Sequence, residues 1–294
     1  MYSLIIPVYN EEESISEIID SSRKCMMDCL HGGPFEIIVV DDGSGDQSLT
    51  IARTKTYKEL VVLQHSTRRG VGAARTTGVL HAKGKKILFI DADCTYNASD
   101  IPKVIEGLTH SDMVIGARKE EKGTFFILRA SIKYLFRKLA GALTKTNIPD
   151  LNSGLRGMDC DKTRQFLYVL PTGHSWVSTI TLCFLASGFS VSFIPITYNK
   201  RKGKSKFKIV RDTYSFFVTI LKTVVYFYPL RVIMPVSIFF FMSGLVFFTR
   251  DIIQRNMADT TILLFVVSVI MFIFALISEQ LACLRREINQ KINQ

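Results

Sequence analysis

The first two thirds of the chain alternate short apolar runs with longer amphipathic stretches. Residues 3–9, 36–42, 60–65, 85–93 and 112–118 are apolar and rich in β-branched side chains, and they predict strands. Between them, residues 12–30, 48–58, 71–82 and 99–108 repeat apolar positions at helical spacing, which predicts helices. This alternation implies βαβ units around a mainly parallel sheet with helices on both faces. A further apolar helix is predicted over residues 177–187, just after Trp176.

Beyond residue 198 the pattern changes. Residues 232–249 and 260–278 carry no charge and no polar face, and each is just long enough to cross a bilayer core as a helix. Membrane helices explain them better than buried core helices. Ahead of them, residues 214–228 are aromatic-rich with a single lysine, and they predict an interfacial helix at headgroup level.

The 294 residues include 37 Lys and Arg against 26 Asp and Glu, a net charge of +11, and 48% are hydrophobic. At roughly 100–200 residues per domain this means one large or two ordinary domains, neither a disordered tail nor a disulfide-stapled mini-domain. The charge is unevenly spread. Residues 1–197 hold 23 basic and 21 acidic side chains, residues 198–294 hold 14 and 5. Cations precede the first apolar span and follow the second, so the positive-inside rule places both termini in the cytoplasm. The chain opens on an apolar run without a basic leader, and no cleavable signal peptide is expected. The expected organisation is a cytosolic catalytic domain over 1–206, an interfacial region over 207–230, a two-helix transmembrane hairpin over 231–284 and a cytoplasmic tail over 285–294. The six cysteines lack paired metal-ligand spacing and are expected to be reduced thiols.

In a parallel sheet ligands sit at the carboxyl ends of the strands. There the first run is followed by Pro7, Tyr9 and Glu11 to Glu13, the second by Asp41, Asp42 and Asp46, and the fourth ends on Asp91-Ala92-Asp93. Crowded carboxylates repel one another unless a cation or hydrogen-bond donors compensate. A diphosphate carried by Mg²⁺ or Mn²⁺ would do so, since both favour carboxylate and phosphate oxygens. Gly70-Val71-Gly72-Ala73-Ala74-Arg75 is not a dinucleotide fingerprint: it ends in Arg75 and does not leave the first strand. These glycines and Gly78 are read as permitting close helix-to-sheet packing, with Arg68 or Arg69 as phosphate neighbours.

IPVYNEEESI, VVDDGSGD, GVGAARTTG and the strand-end DAD, in this order, resemble the inverting glycosyltransferase family 2 with its GT-A fold. LNSGLR (residues 151–156) and KRKGKSKF (residues 200–207) narrow the resemblance to the dolichyl- and polyprenyl-phosphate sugar synthases. The resemblance implies that Pro7, Tyr9, Glu11, Val40 and Asp42 line the nucleotide pocket, with Asp42 at the base. It implies that Asp91 faces the ribose or diphosphate, that Ala92 contributes backbone and that Asp93 is the main metal ligand, with Asp91 beside it. Arg118 is expected on the donor or acceptor phosphate, and Arg201 and Lys206 on phosphate in the basic loop, with Lys200 an equal register for the arginine and Ser205 a hydroxyl donor. Arg129 and Lys133 match acceptor-phosphate positions.

The implied partners are a nucleotide-diphosphate sugar donor, a polyprenyl phosphate acceptor (undecaprenyl or dolichyl) and the membrane, with a homo-oligomer also open. Nucleic acid is excluded, because the cationic loop adjoins an aromatic membrane helix. A lipid phosphate is already anionic near neutral pH, so the implied transfer needs no strong general base. Asp150 is a positioning candidate. Trp176 reads as a packed aromatic rather than a sugar platform. Two other readings remain open from sequence: a family 2 enzyme acting on a lipid hydroxyl or glycan, and a non-catalytic membrane-anchored subunit.

Overall fold

The computed structural model describes residues 1–118, 148–199, 218, 221–223 and 225–292, and the chain divides into two compact units, Met1–Ile220 and Leu221–Gln294. The first unit is an α/β domain around a seven-stranded sheet. Its strands are β1 (Tyr2–Val8), β2 (Phe35–Asp41), β3 (Leu60–Gln64), β4 (Lys86–Phe89), β5 (Met113–Arg118), β6 (Arg156–Asp159) and β7 (Val191–Ile196), in the order β3-β2-β1-β4-β6-β5-β7. All pairings are parallel except those of β6, which runs antiparallel between β4 and β5 with Gly157 opposite both Leu88 and Val114. The helices are α1 (Ile15–Leu30), α2 (Ser48–Thr54), α3 (Val71–His81), α4 (Ile101–Gly107), α5 (Cys160–Arg164) and α6 (Trp176–Ala186).

The period of two along β1 sends its side chains to two layers. Leu4, Ile6 and Val8 join one core with Ile15, Ile18, Ile19 and Met26 of α1 and Ile101 and Val104 of α4. Ile5, between them, faces α3, where a Cβ at Gly78 would collide with its Cγ2. Gly78 therefore permits close helix-to-sheet packing, as its sequence context suggests. Gly72 packs elsewhere: a Cβ there would meet the backbone of Pro171, Thr172 and Gly173.

Several boundaries move for local reasons. α1 begins at Ile15 rather than at residue 12 because the Glu11 carbonyl accepts from the Ser14 and Ile15 amides while Glu12 bonds outward to the loop after β2. It stops where His31 and Gly32 take left-handed conformations, with φ of 48° and 83°. α2 ends at Thr54, since Lys55 turns extended and its Nζ reaches Asp20 Oδ2 at 2.5 Å. β6 and β7 lie outside the expected strand set. β6 is four residues long, with an arginine and a glycine among them, and it is a strand because neighbours on both sides pair with it. β7 tolerates Pro195 because it is an edge strand.

The second unit is a hairpin of α7 (Pro229–Gln254) and α8 (Asp259–Ile292). Both are long and apolar enough to cross a membrane, over Pro229–Gln254 and Asp259–Arg285, with only 11% and 17% of their most apolar windows buried inside the protein. The two apolar runs read from sequence fall within them, and they are not buried core helices. Ser237 Oγ donates to the Ser268 carbonyl at 2.9 Å and Ser268 Oγ to the Ser237 carbonyl at 3.1 Å. Gly244 lets the Phe265 ring approach. At the turn, Asp251 Oδ2 accepts from the Ala258 amide and the Thr261 hydroxyl at 2.9 and 2.6 Å. Of the expected interfacial helix over 214–228, residues 218, 221–223 and 225–227 are helical, while residues 214–217, 219, 220 and 224, with Arg129, Lys133 and the loop carrying Lys200, Arg201, Ser205 and Lys206, lie outside the described residues.

Candidate active site

The loops after β1 and β2 are laced together by hydrogen bonds between their amides and side chains. The Asn10, Glu11 and Glu12 amides donate to Ser44 Oγ, Ser48 Oγ and Asp46 Oδ2, and the Gly45 and Gln47 amides return to Asn10 Oδ1 and Glu12 Oε2. Burial alone would raise the Asp46 carboxyl, but the Ser48 hydroxyl and amide and the Glu12 amide outweigh it and hold it below its ordinary value. Of the two compensators that the sequence leaves open, a cation and hydrogen-bond donors, the donors are seen here at Glu12 and Asp46.

Asp42 is also bound internally. Its Oδ1 meets His65 Nδ1 at 2.8 Å and the Arg69 amide at 2.9 Å, and its Oδ2 accepts from the Gly70 amide at 2.7 Å. His65 Nε2 continues to Thr77 Oγ1 at 2.9 Å. The side chain therefore pins the loop between β3 and α3. At the start of α3 the Gly72 and Ala73 amides both donate to the Thr172 carbonyl, which satisfies the donors a dinucleotide loop would present to phosphate.

A cleft of about 150 Å³ opens at this edge, lined by Pro7, Val8, Tyr9, Glu11, Asp42, Arg68, Val71, Ala74, Arg75, Asp91, Ala92, Asp93 and His174. Seven residues expected from the sequence are thereby brought together: Pro7, Tyr9, Glu11, Asp42, Asp91, Ala92 and Asp93. Val40 is not among them, being fully buried in β2 opposite Pro7. Arg68 was anticipated as a phosphate neighbour, and its guanidinium lies 4.2 Å from the Tyr9 ring centroid.

Sequence reasoning missed Arg75 and His174. Arg75 is buried in α3 and donates from Nη2 to Asp91 Oδ1 at 2.7 Å. Its signal was a lone charge on a helix otherwise built of small and apolar residues. Asp93 Oδ1 accepts from the amide and hydroxyl of Thr95 at 3.2 and 2.6 Å. Among the described residues no group of three or more His, Cys, Asp or Glu could hold a metal alone. Carboxylate from the Asp91–Asp93 turn completed by substrate phosphate is nonetheless a donor set that Mg²⁺ and Mn²⁺ accept, so the residues fit such an ion.

Arg118 does not line the cleft. It forms a two-point pair with Asp150, Nε to Oδ2 at 2.6 Å and Nη2 to Oδ1 at 2.9 Å, and its guanidinium lies 5.2 Å from the Tyr198 ring. Burial would raise the Asp150 carboxyl, but Arg118 and the Asn152 amide hold it below its ordinary value. The loop from Asp150 runs to Gly154, whose amide donates to the buried Tyr96 hydroxyl at 2.7 Å; burial raises that phenol. A Cβ at Gly154 would collide with Asp91 Oδ2, so no acidic side chain fits there beside Asp91 as it stands. Arg156 is fully buried, donating to the Ser153 and Val177 carbonyls and the Thr181 hydroxyl, and burial pushes it down to about 9. Trp176 is buried against Phe89, with Nε1 on Thr76 Oγ1 at 3.0 Å, as expected of a packed aromatic.

Residues 3–167, more than half of the chain, match the model of glycosyl transferase family 2. The chain belongs to this family. A second family model follows: residues 228–284 match the GtrB C-terminal hairpin. The chain is 28% identical over 217 residues to undecaprenyl-phosphate 4-deoxy-4-formamido-L-arabinose transferase of Edwardsiella ictaluri, covering 71% of this chain and 63% of that protein. It is 30% identical over 159 residues to dodecaprenyl-phosphate galacturonate synthase of Rhizobium johnstonii, covering 52% and 46%. It thus spans less than two thirds of either relative's length. Glucosyl-3-phosphoglycerate synthase of Mycobacterium tuberculosis, solved with Mn²⁺, uridine diphosphate and glucosyl-3-phosphoglycerate, shares the fold of this family 2 domain, with a TM-score of 0.60, 18% identity, and 76% and 79% of the two chains covered.

Proposed function

We propose that the chain is an inverting glycosyltransferase that moves a hexose from a nucleotide-diphosphate sugar to the phosphate of a membrane polyprenol, undecaprenyl or dolichyl phosphate. The observation that carries the reading is the position of Asn199. This residue immediately precedes the basic loop, and its amide donates to the Thr95 carbonyl at 2.8 Å, two residues beyond Asp93. The bridge between Tyr96 and Tyr198 reinforces the contact. The root of the cationic segment therefore adjoins the acidic turn of the cleft, which supports Arg201 and Lys206 as contacts to the donor and acceptor phosphates.

In this reading Pro7, Tyr9, Glu11 and Asp42 border the nucleotide, and Asp91 and Asp93 face its ribose and diphosphate. A divalent cation, Mg²⁺ or Mn²⁺, when bound at the Asp91–Asp93 turn supplies positive charge for the diphosphate. A lipid phosphate oxygen forms the new bond to the anomeric carbon from the face opposite the diphosphate. The bond from that carbon to the diphosphate oxygen breaks, and the nucleoside diphosphate leaves with the electron pair. Arg201 and Lys206 stabilise its growing charge. The relatives named for polyprenyl-phosphate acceptors and the two apolar helices support a lipid-borne acceptor. Basic residues flanking the spans support a cytoplasmic catalytic domain with both termini on the same side.

The test is to incubate the purified full chain with a panel of nucleotide sugars and undecaprenyl or dolichyl phosphate, and to detect the glycosylated lipid by mass spectrometry. A sugar–phosphate–polyprenol product that is lost in Asp93→Ala is expected. Wild-type transfer by Asp93→Ala in excess chelator, or transfer only to hydroxyl acceptors, would overturn the proposal.

A further inference from the structure

The cleft crosses β1, with Asp42 beyond β2 on one side and the Asp91–Asp93 turn beyond β4 on the other. Two strand spacings, about 9.5 Å, separate β2 from β4. That is comparable with the reach from a diphosphate, held at the acidic turn in the proposed function, to the hydrogen-bonding edge of its base.

What Asp42 can offer a base is limited by what it already holds. A carboxylate has about four lone-pair sites, two on each oxygen. Among the described residues three donors reach them: His65 Nδ1 at 2.8 Å and the Arg69 amide at 2.9 Å on Oδ1, and the Gly70 amide at 2.7 Å on Oδ2. Oδ1 is thereby filled, and Oδ2 keeps one site. His65 is fixed in this task. A carboxylate only accepts, so the ring donates from Nδ1, while its Nε2 meets Thr77 Oγ1 of α3 at 2.9 Å. Both side chains of the pair are buried, so the bond competes with little water.

Uracil presents one ring N–H between two carbonyls. Guanine presents a ring N–H beside an amino group, two donors in a row that a carboxylate takes with both oxygens. From this geometry we infer that His65 is a positioning residue that fills Asp42 Oδ1 and leaves one acceptor at Oδ2, so that the site takes a uridine rather than a guanosine diphosphate sugar. The amino group of guanine would face a filled oxygen and lose its partner, which is costly away from water. This choice of nucleotide deepens the proposed function and rests on its placement of Asp42 beside the nucleotide.

Calorimetry on the full chain in detergent with Mn²⁺ and a set of nucleoside diphosphates tests it. Uridine diphosphate is expected to bind about tenfold or more tighter than guanosine diphosphate, the scale of one stranded donor. Inosine diphosphate, a purine without the 2-amino group, should bind about fivefold or more tighter than guanosine diphosphate, which separates hydrogen bonding from ring size. His65→Leu empties one site on Oδ1 and should bring guanosine diphosphate within about twofold of inosine diphosphate. His65→Asn, which can donate from the same place, should restore the wild-type preference. Guanosine diphosphate bound by the wild type as tightly as uridine or inosine diphosphate would overturn the inference while leaving a nucleotide in the cleft. So would a guanosine-to-inosine ratio unmoved in folded His65→Leu. Should neither purine bind, N3-methyluridine diphosphate decides: a loss of about tenfold or more against uridine diphosphate supports the single acceptor, and equal binding overturns it. Binding of none of these nucleotides would overturn the proposed function itself. Should His65→Leu not fold, the wild-type ratios decide alone.

Discussion

Arg118 and Asp150 are 32 residues apart in the chain and joined at two points, with Nε on Oδ2 at 2.6 Å and Nη2 on Oδ1 at 2.9 Å. Asp150 also accepts from the Arg118 and Asn152 amides, so the pair ties the end of β5 to the loop that carries Gly154 against Asp91. Removing one partner from a buried pair strands the other charge. Asp150→Leu is expected to destabilise the protein by about 3–5 kcal/mol, and the double variant Arg118→Met with Asp150→Leu by much less than the sum of the two single changes. Thermal unfolding of the four proteins forms the cycle, and additive losses would show that the pair acts as two independent groups.

Acid stability follows from the same carboxylates. Burial would raise Asp150 and Asp46, but their hydrogen-bond partners, and for Asp150 the charge of Arg118, hold both below the ordinary value of 3.8. A group with a lowered folded pKa contributes stability that is complete above its unfolded value and lost as pH falls through the folded one. The unfolding temperature should therefore change little on this account between neutral pH and about pH 5 and fall below about pH 4. Asp150→Asn should flatten part of that acid limb; an unchanged limb would mean Asp150 does not drive it.

Gly154 is expected to tolerate no side chain. A methyl group there must displace the Asp91 carboxylate or the Tyr96 ring, and overpacking of this kind costs about 1–3 kcal/mol. Gly154→Ala should fold yet bind uridine or guanosine diphosphate more weakly by calorimetry, whereas Gly78→Ala, which presses on Ile5, should lose stability without that loss of binding.

Trp176 is the single tryptophan, so its role can be read without interference. Trp176→Ala should cost about 3–5 kcal/mol, the usual scale for emptying a core aromatic site. Trp176→Phe keeps packing on Phe89 and gives up the bond to Thr76, about 1 kcal/mol. A stable Trp176→Ala with impaired sugar transfer would instead identify it as a substrate platform.

In the hairpin, Ser237→Ala and Ser268→Ala should each weaken helix association by roughly 0.6 kcal/mol, since each serine donates to the other's carbonyl. Unfolding of the detergent-solubilised chain measures it, and losses of several kcal/mol would point to an additional role for the pair.

The five alternating runs announced β1 to β5 because apolar periodicity is a property of a few neighbouring residues. For the same reason the residues just after the strands, Tyr9, Glu11, Asp42, Asp91 and Asp93, could be named as one site: parallel strands deliver their carboxyl ends to one edge. β6 was illegible because Arg156-Gly157-Met158-Asp159 has no strand pattern of its own and owes its conformation to β4 and β5. Arg75 looked like a residue that merely spoiled a glycine fingerprint until α3 set it against Asp91.

Chain order and run length thus decided the strand-helix alternation, the two apolar spans and the chemical character of the cleft, because these depend on interactions within a turn or two of backbone. The tertiary structure alone decided what each charge meets. Amides of one loop meet carboxylates of the next; Arg118 pairs with Asp150 outside the cleft lining; and Arg75 takes one aspartate of the DAD turn. These partners lie tens of residues apart, and only closure of the sheet brings them to the few ångströms at which charge and hydrogen bonding act.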